Sequence, residues 1–154
     1  MPLEITYSNN SKRLSVAHSE AGKSIETITM EAHSGGWDAH RALPKGKWLI
    51  VKNPSGDRSY FGLSYQDANV NDQFKHETKW RDGIRFGFHG AIGSHGCIMT
   101  TPALGQTFAD AQLNWKKIQQ KIRTRRTRKP HTYQNNENPR INDQNKYTVS
   151  RYAL

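Results

Sequence analysis

Cysteine occurs once in this chain of 154 residues, at Cys97. No internal disulfide can form, so an oxidising compartment is neither required nor excluded. Apolar runs are short, and none approaches the roughly 20 residues of a membrane-spanning helix. The amino-terminal stretch Met1-Pro2-Leu3-Glu4-Ile5-Thr6-Tyr7 has neither the basic start nor the apolar middle of a secretory signal. Any route out of the cell is therefore expected to use no cleaved signal peptide. Internal repeats are lacking too. Hydrophobic residues make up 34% of the chain, little for a wholly globular protein, so part of it is expected to lie outside a modest single core.

Charge is unevenly spread. Residues 1–115 hold 12 Lys+Arg against 11 Asp+Glu, whereas residues 116–154 hold 11 against 2. The net charge of +10 is thus a property of the carboxy-terminal part. The expected organisation is a catalytic-sized domain over residues 1–120, followed by a basic, polar extension over 121–154 with the run Arg123-Thr124-Arg125-Arg126-Thr127-Arg128-Lys129.

Within the neutral part the pattern is mostly β. Leu3, Ile5 and Tyr7, then Leu14, Val16 and His18, alternate about Ser8–Lys12, which predicts a hairpin. Ser24–Ala32 reads as a further strand. Lys47–Lys52 and Ser59–Tyr65 read as a pair joined at Asn53-Pro54-Ser55-Gly56-Asp57. Gln66–Asp82 reads as a polar connection pinned by Phe74 and Trp80. Ile84–Phe88 predicts a short strand. Pro102, with Thr101 as cap, predicts a helix whose stripe is Leu104, Phe108, Ala111, Trp115 and Ile118. The expected fold is mainly β, a compact sandwich of short antiparallel strands with one carboxy-terminal amphipathic helix.

The chemistry concentrates in Arg85–Met99. This run holds the sole cysteine, His89 and His95, and four glycines that supply no packing volume. A thiol attacks only as thiolate and is mostly protonated at neutral pH, so it needs a base. His89, eight residues upstream beyond Gly90 and Gly93, is expected to fold back over the sulfur from a facing strand and take the proton. His95 lies beside Cys97 and is expected to shape the site. The amides of His95, Gly96 and Cys97 are candidates to stabilise an oxyanion, and Ser94 to bond within the turn or to an imidazole. The segment contains no acid, so the Gly90 carbonyl or a distant side chain must orient His89. His33, Tyr60 and Trp48 are candidates to line a cleft, with a structural role the more ordinary expectation for each.

Two rival classes are less well supported. His89, His95 and Cys97 are metal-ligand types, and the two histidines have H-x5-H spacing, but the single cysteine allows no C-x2-C pair to complete a structural site, so no metal or cofactor is expected. The basic run suits phosphate contacts, but it has no interleaved aromatics and belongs to no recognisable nucleic-acid module. A polyanion or partner contact, or a solvated extension, fits it better.

Phe88-His89-Gly90 followed by Ser94-His95-Gly96-Cys97-Ile98 resembles the signature of the L,D-transpeptidase catalytic domain (YkuD-like). Glu31-Ala32-His33-Ser34-Gly35-Gly36 and Leu43-Pro44-Lys45-Gly46-Lys47-Trp48 are similar to pieces of its compact branch, described as type VI secretion L,D-transpeptidase effectors. The resemblance implies an L,D-transpeptidase-like β-sandwich and attack by Cys97 on peptidoglycan stem peptides. It implies His89 as proton carrier, and release of terminal D-alanine or its exchange for a D-amino acid. It also implies synthesis in the bacterial cytoplasm, delivery to the periplasm of a target cell, and partners such as an immunity protein and secretion components. A housekeeping enzyme forming 3,3 cross-links is the alternative within the family. Many members carry Arg or Asn shortly after the cysteine, where this chain has Met99-Thr100-Thr101; Arg85 or Arg41 are the expected substitutes for holding substrate.

Overall fold

A computed structural model describes residues 3–38, 40–65, 73–76, 78–123 and 146–151. The amino-terminal alternation forms β1 (Leu3–Ser8) and β2 (Arg13–Glu20), paired antiparallel with Ile5 opposite Val16 and Tyr7 opposite Leu14. These four apolar side chains all point into the core. The third strand, β3 (Lys23–Ser34), is longer than its alternation suggests and pairs with β2 along most of its length. Next come β4 (Lys47–Lys52), β5 (Phe61–Tyr65), the small hairpin β6 (Phe74–His76) and β7 (Lys79–Arg81), then β8 (Arg85–Phe88) and β9 (Ile98–Thr101). Last are the helix α1 (Phe108–Arg123) and β10 (Lys146–Arg151).

The mainly β character and, among the described residues, one helix follow expectation. The strands, however, close into one barrel in the order β1-β10-β4-β5-β8-β9-β3-β2 instead of stacking as two open sheets. Closure removes the exposed edges that two short sheets would leave. Two of its ladders are parallel, β10 with β4 and β8 with β9. The second has consequences for the site, because residues 89–97 must cross from the end of β8 to the start of a strand running the same way.

The core is lined by Tyr7, Leu14, Val16, Ile50, Leu63, Phe86 and Ile98, with Trp48 at its centre. Trp48 is 0% exposed and packs on Tyr65 and Phe74 at 4.8 and 5.0 Å, its indole N–H donating to the Pro44 carbonyl. It is a core residue and lines no cleft, which corrects the expectation for it. The reason is that Trp48–Val51 of β4 are buried on both faces. In the polar connection, Phe74 is buried as expected, but Trp80 is 70% exposed and pins nothing. Residues 66–72 and 77 lie outside the described residues.

The helix also starts later than Pro102 suggests. Residues 103–106 make a turn closed by the Gln106 amide on the Ala103 carbonyl and by the Gln106 side chain on the Ala103 amide. This leaves Leu104 fully in solvent. Thr107 is the cap, its hydroxyl accepting the Asp110 N–H at 3.1 Å. The buried stripe is Ala111, Trp115, Ile118 and Ile122, with Trp115 edge-on to Phe86 at 5.0 Å. Lys121 on the helix pairs with Glu26 of β3 at 2.6 Å. Thr107→Ala is expected to lower stability by about 1 kcal/mol, read as a melting temperature roughly 3 °C lower.

The helix runs past residue 120 to Arg123, and β10 enters the barrel between β1 and β4. Most of the basic run, within 124–145, lies outside the described residues, as do 152–154. Among the described residues no helix is long and apolar enough to cross a membrane.

Candidate active site

The Ser94–Cys97 turn is held by one hydroxyl. Ser94 Oγ accepts the amides of Gly35 and Gly96, each at 3.1 Å, and donates to the Cys97 carbonyl at 2.6 Å. Ser34 adds a second tie by donating to the Gly96 carbonyl at 2.8 Å while accepting the Leu43 amide at 3.0 Å. The Ser94 amide and carbonyl are bonded to Gly35 and Trp37. The His-Ser-Gly turn after β3 and the cysteine turn before β9 are therefore one unit, although about 60 residues separate them. Gly35 (φ +74°) admits no side chain, since a Cβ there would lie 2.4 Å from the Ala42 amide nitrogen.

Cys97 is part-exposed at the rim of this unit. Its sulfur accepts the Arg85 N–H at 3.3 Å, and the thiol faces the Gly83 carbonyl at 3.6 Å. Burial pushes the thiol pKa up, while the Arg85 amide and the Arg85 and Arg81 guanidinium groups pull it down. Arg81 reaches the site from β7. Its guanidinium covers Gly96 so closely that a Cβ on that residue (φ +114°) would overlap it. Arg81 also donates to His76 Nδ1 at 2.9 Å and to the Arg41 carbonyl at 3.1 Å.

The two candidate imidazoles share one aromatic neighbour. Trp37 bridges them, stacked on His89 at 5.3 Å and edge-on to His95 at 5.4 Å. Its indole N–H donates to the Ile92 carbonyl at 2.7 Å. His95 Nε2 pairs with Asp38 Oδ2 at 2.7 Å, in the open. His89 Nδ1 accepts the Ala91 amide at 3.3 Å. Burial holds His89 below the ordinary imidazole range, with nearby His33 acting the same way and backbone contacts opposing.

His89 makes no hydrogen bond to Cys97, and the parallel ladder explains why. Phe86 is level with Ile98 and Phe88 with Thr100. Cys97 is therefore level with Arg85, and His89 stands four residues further along, roughly 13 Å at the rise of a strand. The expected return from a facing strand requires an antiparallel pair, which is not what forms.

The remaining expected residues divide. Gly90 lies under Phe108, where a Cβ would stand 3.1 Å from the ring, and its carbonyl is not among the partners of His89. Of the three amides, that of Gly96 is taken by Ser94 Oγ; those of His95 and Cys97 have no backbone acceptor among the described residues. His33 is mostly buried, paired with Glu31 at 2.8 Å. Tyr60 packs over Gly87 and lines a pocket with Arg58 and Arg123. Arg85 meets the sulfur through its backbone amide, while its guanidinium donates to the Ile84 carbonyl; Arg41 contributes its backbone carbonyl.

Trp37, Asp38 and Arg81 were not singled out in the sequence. Trp37 and Asp38 directly follow the His-Ser-Gly turn, which was a usable signal. Arg81 had none, since it lies in a stretch without periodicity. Among the described residues no group of three His, Cys, Asp or Glu side chains is arranged to hold a metal ion.

Burial of neutral His89 sets a pH dependence. The native state resists protonating this ring, so its contribution to stability is complete above the unfolded imidazole pKa of about 6.5 and is lost as pH falls through the lowered native value. His89→Gln is expected to flatten the fall in melting temperature between pH 7 and pH 5; an identical slope would remove His89 from this role. No family model, curated protein or solved structure matches the chain.

Proposed function

We propose that Cys97 is the nucleophile of an acyl-transfer enzyme of L,D-transpeptidase type, acting on peptidoglycan stem peptides. The observation that carries this reading is the Ser94 hydroxyl, which ties the cysteine turn to the His-Ser-Gly turn and presents a part-exposed thiol beside Arg85 and Arg81. Two separated pieces of the resemblance thereby meet around one sulfur.

In the reaction, the Cys97 thiolate attacks the carbonyl at the L-centre of the third residue in a tetrapeptide stem. The peptide C–N bond breaks, D-alanine leaves as the protonated amine, and a thioester remains. Water resolves it as an L,D-carboxypeptidase, a D-amino acid by exchange, and a neighbouring stem amine as a 3,3 cross-link. The amides of His95 and Cys97 are the donors proposed for the oxyanion.

The resemblance gives the thiol proton to His89, and burial keeps that ring neutral and able to accept it. For His89 to act, the sulfur must give up Gly83 and residues 89–97 must rearrange to close the ladder offset. The second reading gives the proton to His95, favoured by its 2.7 Å pair with Asp38, the arrangement of a base with its orienting acid. A loss of at least about 100-fold in His89→Ala, with a smaller one in His95→Ala, selects the first; the reverse order selects the second.

The proposed setting is a secreted antibacterial effector, made in the cytoplasm and acting in the periplasm of a target cell. Incubation with disaccharide tetrapeptide, followed by mass spectrometry of the products, tests the function. Tripeptide, D-amino-acid-exchanged tetrapeptide or 3,3 dimers support it; unchanged substrate at stoichiometric enzyme contradicts it.

A further inference from the structure

One groove reaches the cysteine turn through Arg81. It has a volume of about 520 Å3 and runs between the loop holding Asp38, His40 and Arg41 and the β6–β7 hairpin, with Lys79, Trp80 and Arg81 along its hairpin wall. Arg81 is its inner end, covering Gly96 one residue from the nucleophile.

We infer that this groove is an anion subsite in which the Arg81 guanidinium holds a carboxylate of the reacting peptide next to Cys97. The inference rests on the reading of Cys97 as nucleophile, and it assigns a selectivity role to a hairpin residue that this reading does not need. Three observations carry it. First, Arg81 pairs with no carboxylate among the described residues: one guanidinium nitrogen bonds His76 and another the Arg41 carbonyl, both neutral acceptors. Those two bonds and the face of Phe74, 5.4 Å from the guanidinium carbon, fix the group in place.

Second, a guanidinium has five N–H donors in a fixed fork, so two bonds leave donors for a carboxylate. Third, the flanking Lys79 adds positive charge, and Asp38, the one acid among the described residues of the lining, is engaged by His95. A partly desolvated, positioned guanidinium with no carboxylate partner among the described residues is an arrangement that a carboxylate ligand completes. The exposed Trp80 offers an apolar face at the outer end for the ligand's uncharged part.

Charge-selective alkylation of the full-length chain tests this without requiring acyl transfer. The rates of Cys97 modification by iodoacetate (anionic) and iodoacetamide (neutral) are measured at one pH and ionic strength, and their ratio is taken. The ratio cancels changes in thiolate fraction, which affect both reagents alike. Arg81→Gln is expected to lower the iodoacetate-to-iodoacetamide ratio about fivefold, the size of an exposed charge pair. Arg81→Lys is expected to keep most of it, and Arg123→Gln, on the separate pocket beside Tyr60, to keep all of it.

An unchanged ratio in Arg81→Gln overturns the inference. An equal fall in Arg81→Lys also overturns it, because it would trace the effect to a disturbed loop instead of charge. Failure of the tetrapeptide assay together with the expected fall of the ratio in Arg81→Gln would reject the acyl-transfer reading while leaving the anion subsite standing, so the two failures are distinguishable.

Discussion

Cys97→Ala is expected to abolish release of D-alanine from tetrapeptide muropeptides, by at least about 1,000-fold in rate, because no other side chain at the site can form the acyl intermediate. The fold should survive. The sulfur sits at the rim, and its polar contacts are the Arg85 amide and the Gly83 carbonyl. Truncation leaves a small part-exposed gap, not a core cavity. Circular dichroism should match the parent, with a melting temperature within a few degrees of it. Residual turnover near the parent's would place the chemistry elsewhere. A collapse of the fold would show instead that the thiol contributes to packing in a way its two contacts do not suggest.

Ser94→Ala should be the more damaging change to structure. One buried hydroxyl serves two amides and one carbonyl across two turns distant in sequence. Its removal leaves the Gly35 and Gly96 amides without their acceptor in a buried position, and such orphaned groups are costly. The expected loss is roughly 3 kcal/mol, seen as a melting temperature on the order of 10 °C lower. Activity should fall with it, because the Gly96 amide would be released and the turn presenting Cys97 would loosen. A melting temperature within about 2 °C of the parent would show that Ser34 and the Trp37 contacts hold the turn without it. The substitution therefore separates a residue that builds the site from one that reacts in it.

Much of the barrel could be read from local pattern. The β1–β2 hairpin and its register follow from alternation about Ser8–Lys12, and β4 with its Asn53–Asp57 turn follows from a β-branched run and turn residues. The apolar stripe of α1 is legible at Ala111, Trp115 and Ile118, whereas Leu104 and Phe108, which the spacing adds to it, are exposed. The helix start was not legible, because Pro102 is a strong helix-start signal and the competing Ala103–Gln106 turn depends on one glutamine side chain. Trp48 was misjudged for a related reason. An aromatic on a strand reads alike whether it faces a cleft or a core, and only the burial of both faces of β4 decides it.

The nucleophile turn was legible because glycines, histidines and a lone cysteine together are poor core material. What the sequence could not supply was strand direction. A segment with turn residues between two short β runs suits a hairpin or a crossover equally, and here the β8–β9 ladder is parallel. That single difference moves His89 away from the sulfur and leaves the thiol facing Arg81 and Arg85. Arg81 itself was invisible for the same reason, since its importance comes from lying over Gly96, fifteen positions along the chain.

The central claim is that Cys97 carries the acyl group. Its most direct test is intact-mass and peptide-map spectrometry of the protein, quenched in acid shortly after mixing with disaccharide tetrapeptide. The account predicts a mass increase equal to the stem acyl group without D-alanine, located on the peptide containing Cys97 and released by hydroxylamine as a thioester should be. Tetrapeptide converted to product with no adduct on Cys97, or an adduct carried by another residue, would contradict it.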